Sequence, residues 1–241
     1  MGVGGLGRVR LHTMVPLPDV SAVAALMAEP TRSAILSCLL DGRTAAAGAL
    51  AASAGFSAQV ASNHLARLRK SGLLLVETQG RQRRYRLASG EVAHALEALA
   101  VLAPPPRPAA RVPEGLRFAR SCYDHLAGVL GVALTEALTT GGFLRRDGPS
   151  YRPTPLGETR LAEWGISLDA LKEARRPLAR ACLDWSERRH HLAGSLGAAL
   201  LGRFLHSGWL LRVQGTRGLR LTLKGRRALE AQLRLRLPAS L

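Results

Sequence analysis

Cys122 and His125 stand three residues apart, and Cys182, His190 and His191 form a second set of the same chemistry further along the chain. At that spacing Cys122 and His125 would share one face of a helix. Two thiolates and one or two imidazoles brought together from the two sets would suit zinc, copper(I) or another thiophilic metal. Asp124, Asp184 or Glu187 could then orient an imidazole or neutralise a nearby arginine. The competing reading is structural, because a cysteine in a helix is by default a small buried apolar residue. The phrase from Cys182 to His190 would then be a helix packed through Leu183 and Trp185, with Asp184, Glu187, Arg188 and Arg189 in ion pairs. An organic effector pocket lined by Phe143, Trp164, Trp185 and Trp209 is a third reading, although these four aromatics serve a core equally well.

A different chemistry is concentrated between residues 57 and 86. Gln59, Ser62, Asn63 and Arg67 fall on one side of a short helix, opposite a stripe of Val60, His64 or Leu65, and Leu68. Gln, Asn and Arg are the side chains whose donor–acceptor geometry matches adenine and guanine edges in a major groove. Ser57 and Gln59 stand at the helix start, where free backbone N–H groups hold phosphate. Arg81, Gln82, Arg83, Arg84 and Arg86 surround a turn at Gly80, as a wing straddling a nucleic-acid backbone would, while Tyr85 is expected to pack back on the helices. His64 either touches phosphate or caps the packing.

These residues must be positioned by short elements. Helices are expected over Pro18–Leu26, Pro30–Leu40 (closed by Asp41-Gly42) and Thr44–Ala54 (ended by Gly55), with a fourth running from Ser57 to Lys70. Strands over Leu73–Thr78 and Arg83–Leu87 make a hairpin, and Glu91–Leu102 is a further helix. Pro104-Pro-Pro-Arg-Pro-Ala-Ala110 cannot continue that helix and reads as a stiff linker over 104–111, separating a domain at 15–103 from one at 112–241.

The second half contains an echo. His125-Leu-Ala-Gly-Val-Leu-Gly-Val-Ala-Leu134 recurs as His191-Leu-Ala-Gly-Ser-Leu-Gly-Ala-Ala-Leu200, sixty-six residues later. Each copy is followed by a basic strand-like stretch (Leu144 to Arg152, Leu210 to Leu221) and a helix starting at Thr154 or Thr222. This predicts two repeated winged-helix-like units, about 117–165 and 183–233, each built as helix, helix, wing and helix. The fold class is therefore mainly α with small β-hairpin wings, an α+β protein.

Composition excludes several classes. Of 241 residues 47% are hydrophobic and 21% charged, enough for a core and too apolar for disorder. The net charge of +17 is spread over both halves, eleven basic against six acidic residues before position 104 and twenty-three against eleven after it, which favours a polyanionic partner. No apolar run is long enough to span a membrane, and the N-terminal stretch, with Pro16, Pro18 and Asp19, carries no secretion signal. Three scattered cysteines argue against a disulfide framework and for a reducing cytoplasm. No Gly-rich phosphate loop, nucleophile elbow or His-Glu-x-x-His stands in the chain, so an enzyme is not expected.

The phrase Ser62-Asn-His64-Leu65-x-x-Leu68-x-x-x-Gly72-Leu73, with Gly80-Arg81, Tyr85-x-Leu87 and the preceding Glu29-Pro-Thr-Arg32-x-x-Ile35-Leu36, resembles the winged helix of bacterial arsenic-repressor-type (ArsR/SmtB) regulators. The resemblance covers about residues 18–102. It implies a homodimeric repressor on a double-stranded DNA operator, with Ser57, Gln59, Ser62, Asn63 and His64 in the recognition region. The first and last helices of the segment would make the dimer contact; a metal or small-molecule effector is expected of the chain, but the resemblance does not carry metal sensing with it. One departure limits it. The family's metal sensors carry Cys-x-Cys in the third helix, which has no cysteine here, and only Glu91 and His94 could serve at the last-helix site. Longer relatives carry a similar Cys-Tyr-Asp-His-Leu-Ala-Gly segment. A structural or chromatin-associated DNA binder without effector is the alternative, followed by a small-molecule-binding enzyme.

Overall fold

The computed structural model describes residues 18–41, 43–80, 82–104, 112–214, 216–235 and 237. Arg81, Gly42 and all of the expected linker except Pro104 lie outside them. Helix α1 (Val20–Ala28) starts at Asp19, whose carboxylate accepts the Ala22 N–H at 3.0 Å. Helix α2 (Pro30–Cys38) has Pro30 in its first turn, and Glu29 accepts the N–H groups of Thr31 and Arg32 at 3.0 and 2.9 Å. Proline removes one of the free donors of a helix start, and the capping carboxylate accepts from two more.

The expected helix over Thr44–Ala54 starts later. Ala45–Ala46 (β1) pairs with Tyr85 and Arg84, and the helix α3 is Ala47–Ala54. Ladder hydrogen bonds from a strand forty residues away override alanine's helical preference. Gly55 ends α3 with φ of 74°, a left-handed conformation that glycine adopts without cost. Helix α4 (Ala58–Lys70) follows, then β2 (Leu74–Gln79), β3 (Gln82–Leu87) and α5 (Gly90–Leu102). The three strands form one antiparallel sheet in the order β1-β3-β2. Ile35, Leu36, Leu50, Leu65, Leu68, Leu74 and Leu87 make the core of this half, and Tyr85 packs against it. Burying each leucine contributes about 1.5–3 kcal/mol.

The second half has its own core and repeats one pattern twice. The first unit runs α6 (Glu114–Phe118), β4 (Arg120–Cys122), β5 (His125–Ala127), α7 (Gly128–Thr140), β6 (Leu144–Asp147), β7 (Ser150–Pro153) and α8 (Pro155–Glu163). The second runs α9 (Leu168–Lys172), β8 (Arg180–Leu183), β9 (His190–Ala193), α10 (Gly194–His206), β10 (Leu210–Arg212), β11 (Leu219–Leu221) and α11 (Leu223–Leu233). Thr154 and Thr222 cap α8 and α11 by accepting the N–H of Gly157 and Gly225 at 3.1 and 3.0 Å.

Where a helix is expected over the first cysteine–histidine segment of each unit the structure has a β-hairpin, so the pattern is short helix, hairpin, helix, wing, helix, and the second unit's hairpin begins at Arg180 rather than 183. Each long helix starts at a glycine, Gly128 (φ 79°) or Gly194 (φ 86°), and a Cβ there would stand 2.4 Å from Arg117 O or 2.5 Å from Pro177 O. The units exchange contacts crosswise. Strand β8 pairs with β7 of the first unit, giving a sheet β6-β7-β8-β9, and β4 bridges to Gly218 beside β11. Phe204 stacks on Trp209, Trp164 meets both edge-on and Phe143 packs against them, so these aromatics build the core rather than an effector pocket, and Trp185 lies apart beside Arg120 and Arg217. No helix among the described residues is long and apolar enough to cross a membrane.

The halves touch through the first hairpin and the second wing. Tyr123, at the β4–β5 turn, donates its N–H to Leu40 O at 2.7 Å and packs against the N-terminal core, close to Gly90. Arg217 reaches the buried carboxylate of Glu97 on α5 at 2.6 Å.

Candidate nucleic-acid interface and cysteine–histidine centre

Ser57 caps α4 by accepting the Val60 N–H at 3.3 Å. Ala61, Leu65 and Leu68 form the buried stripe; Val60, expected there, is 39% exposed, because the buried face is one residue further round. Ser57, Gln59, Ser62, Asn63 and Arg67 all face solvent. His64 does not join them: it is half-buried, with Nδ1 3.1 Å from Glu29 Oε2, against the start of α2. On the wing, Gln82 and Arg83 are exposed. Arg84 is drawn inward, donating to Thr44 Oγ1 at 2.9 Å and Thr44 O at 2.8 Å, and Arg86 pairs with Glu77. Thr44 sits one residue before β1, so the strand missed from sequence is also what captures Arg84.

The cysteines and histidines converge, but from strands. Cys122 faces His125 across the β4–β5 hairpin, and Cys182 faces His191 across the β8–β9 hairpin in the same register. The helix face expected for Cys122 and His125, and the helix expected over Cys182–His190, are both absent from these segments. One donor atom from each of Cys122, His125, Cys182 and His191 lies within 4.8 Å of the others, and all four residues are buried. His190 is exposed and takes no part, since neighbouring strand residues point to opposite faces. His125 Nε2 is 3.2 Å from His191 Nε2.

Each imidazole has a carboxylate behind it. Asp124 Oδ1 is 3.2 Å from His125 Nδ1, and Asp184 Oδ2 is 3.4 Å from His191 Nδ1, outside good hydrogen-bond geometry. Asp124 pairs in turn with Arg176. Asp184 is fully buried and meets Arg120 Nη2 at 2.6 Å, the Gly128 N–H at 2.7 Å and the Ser186 N–H at 2.9 Å. Burial opposes the charge of Asp184, but the Arg120 guanidinium and the Gly128 N–H hold its carboxyl far below the usual range. The Arg120 guanidinium also lies 4.5 Å from the centre of the Trp185 ring.

The two thiols differ. The hydrogen bond from Cys122, with further bonds from the two imidazoles, overcomes burial and lowers Cys182 to about 2. That same bond, followed by burial, pushes Cys122 well up. Burial works against the imidazolium of His125, yet Asp124 and Cys182 raise it. A cleft of about 280 Å³ between α5 and the two hairpins, lined by Glu91, His94, Arg180, Cys122, His125 and Cys182, leads from solvent to the cluster.

A family model described as a helix-turn-helix domain matches residues 27–77. The chain is 40% identical over 224 residues to the uncharacterized HTH-type transcriptional regulator YdfF of Bacillus subtilis (strain 168), covering 91% of this chain and 99% of that one. It belongs to the HTH-type transcriptional regulators. Its DNA-binding winged helix is of the ArsR/SmtB type. The HTH-type transcriptional regulator CmtR of Mycobacterium tuberculosis (strain ATCC 25618 / H37Rv) is 47% identical over 79 residues, 32% of this chain and 66% of that one. The NMR structure of the cadmium metal-sensor CMTR from M. tuberculosis superposes with a TM-score of 0.32 and 38% identity, covering 39% of this chain and 99% of that one.

The similarity to YdfF runs through both halves of this regulator. Two residues of the centre escaped the sequence reading, Arg120 and Tyr123. Arg120 could have been found: Arg120-Ser-Cys122 is repeated as Arg180-Ala-Cys182, an extension of the echo towards the N-terminus.

Proposed function

We propose that this regulator is a homodimeric repressor that reads an operator with α4 and the β2–β3 wing and responds to an effector bound in its C-terminal half. The observation that carries this reading is the division of α4. Gln59, Ser62, Asn63 and Arg67 are exposed together, while Ala61, Leu65 and Leu68 anchor the opposite side. A recognition helix needs that arrangement to offer side chains to base edges. Arg83 and the arginines of the last turn of α4 supply contacts to phosphate, which set affinity but carry no sequence information. Support for a dimer comes from α1 and α5, which leave Val20 69%, Leu99 49% and Leu102 81% exposed, a cost that a second copy would remove.

The test is binding of the full-length protein to DNA upstream of its gene and to unrelated duplexes, followed by fluorescence anisotropy over a range of salt. Arg83→Ala should weaken binding to every duplex and lower the salt slope by about 1. Gln59→Ala and Asn63→Ala should each cost about 1–3 kcal/mol on the operator and little elsewhere. Equal losses for both kinds of variant on all duplexes would contradict the assignment of α4. Sedimentation would check the dimer.

A further inference from the structure

The geometry points to a four-coordinate site for a thiophilic divalent cation of the zinc class, with Cys122, His125, Cys182 and His191 as its ligands and the cation as the effector of the repressor. The effector role rests on the reading just given; the site itself does not.

Three observations lead to it. An imidazole that binds a metal through Nε2 keeps its proton on Nδ1, and Asp124 and Asp184 stand on the Nδ1 side of the two rings, while the Nε2 atoms face each other across 3.2 Å. A proton shared between the two nitrogens serves them alone, whereas one cation can take a lone pair from each of the four donor atoms, which lie within 4.8 Å of one another. A cation bound at about 2.0–2.1 Å by both would hold them about 3.4 Å apart at the tetrahedral angle, close to the separation found. The carboxylate behind each ring is the arrangement that fixes a ligand histidine.

Charge decides the class of ion. Each carboxylate has its own arginine, Arg176 for Asp124 and Arg120 for Asp184, so the surrounding pairs are neutral. In the bound state both cysteines are thiolates, Cys122 having released its proton to solvent as the metal enters, so the sulfurs carry −2 and a dication makes the buried set neutral. A monovalent ion would leave the four-ligand set itself with net negative charge, and burying unbalanced charge is costly. Two sulfurs and two nitrogens in a closed set suit zinc or cadmium rather than a hard, oxygen-seeking cation.

The position of the site gives it a route to the DNA-binding half. The cleft beside α5 offers entry from solvent. Tyr123, between the ligands Cys122 and His125, has φ of 58° and is seated against the N-terminal core, so fixing the hairpin fixes that contact.

Full-length protein, purified under reducing conditions and stripped with a chelator, should be titrated with cobalt(II), zinc and cadmium. One equivalent per chain is expected, with the cobalt form showing thiolate charge transfer and intense tetrahedral ligand-field bands. Cys182→Ser and His191→Gln should lose this step, and Cys38→Ser should keep it. Asp124→Ala, at a positioning residue, should weaken the metal by about 10–100-fold while leaving the cobalt spectrum tetrahedral. Circular dichroism would confirm that the variants fold, and the wild-type spectrum reports the ligand set without any variant. Absence of one-to-one binding, an octahedral cobalt spectrum, or unchanged binding in both ligand variants would overturn the site.

The same samples then go to operator DNA. A change of about 5–150-fold in affinity on adding metal, absent in Cys182→Ser, is expected of an effector. Metal bound with unchanged operator affinity would overturn the effector role. Failure to bind any operator in either state would instead count against the repressor reading, with the spectroscopic result standing.

Discussion

Asp184→Asn changes one oxygen to an amide in a fully buried position and should destabilise the C-terminal half severely. One carboxylate oxygen receives Arg120, the N–H groups of Ser186 and Glu187 and the Ser186 hydroxyl, while the other receives the Gly128 N–H and faces His191. Every close neighbour is a donor. An asparagine has one accepting oxygen, so either orientation turns its NH₂ against donors. Arg120, 1% exposed, then keeps its charge without its counterion. Breaking a buried pair from one side costs about 3–5 kcal/mol. At about 2–4 °C per kcal/mol, the melting temperature should fall by about 6–20 °C. All three tryptophans (164, 185 and 209) belong to this half, so urea unfolding followed by tryptophan fluorescence reports on it directly. The measurement is made with chelator present, which separates folding from metal binding. Arg120→Met with Asp184→Leu removes the stranded charge and should recover part of the loss, the N–H groups of Gly128, Ser186 and Glu187 still lacking their acceptor. A single-variant loss below about 1 kcal/mol would refute the reasoning, since it would mean that Arg120 is adequately solvated without its partner.

Gly157→Ala and Gly225→Ala should both be destabilising, by about 1–3 kcal/mol or more, since a Cβ would meet Phe143 O at 1.9 Å and Trp209 O at 2.3 Å; Gly48→Ala, with nothing within 4 Å, should be neutral or slightly stabilising in the same denaturation assay. Glu29 is held at about 2: slight burial is outweighed by the N–H groups of Arg32 and Thr31 and by His64. A carboxylate depressed in the folded state stabilises above its unfolded pKa and loses that contribution as pH falls. The gap in urea midpoint between wild type and Glu29→Gln should therefore be full at neutral pH and close between about 4.5 and about 2. Tyr123→Gly suits the left-handed backbone and keeps the N–H that Leu40 O accepts, while deleting the ring packed on the N-terminal core. It should keep one equivalent of metal but lose the effect of metal on operator affinity; an undiminished effect in anisotropy titrations would show that Tyr123 is not the route.

The winged helix was legible because its signals are local. Ser57 as cap, Gly55 in the left-handed conformation and the spacing of Leu65 and Leu68 lie within a few residues of what they determine. The strand Ala45–Ala46 was not, because its partners Tyr85 and Arg84 are forty residues away and alanine carries no strand preference. Arg84 was misassigned to the DNA surface for the same reason. At Cys122-x-x-His125 a spacing of three fits a helix face and a two-residue hairpin turn equally, and the turn residues, Tyr123 and Asp124, include no glycine to mark it. The choice between His190 and His191 required the strand register, in which only His191 faces Cys182.

The repeat explains how such a centre arises from a sequence that hides it. Arg120–Cys122 pairs with His125–Ala127 in the same register as Arg180–Cys182 pairs with His191–Ala193, yet the histidines are sixty-six residues apart and the cysteines sixty, because the second hairpin has a longer connection. Each unit owns two donors, half of a tetrahedral set. The set closes only because the units cross: α7 lies against β9 and α10 against β5, with Gly131 and Gly197 letting the helices approach the hairpins closely. A metal held by such a set would tie the two units together, and with them Tyr123, the residue of the first hairpin that already reaches into the DNA-binding half.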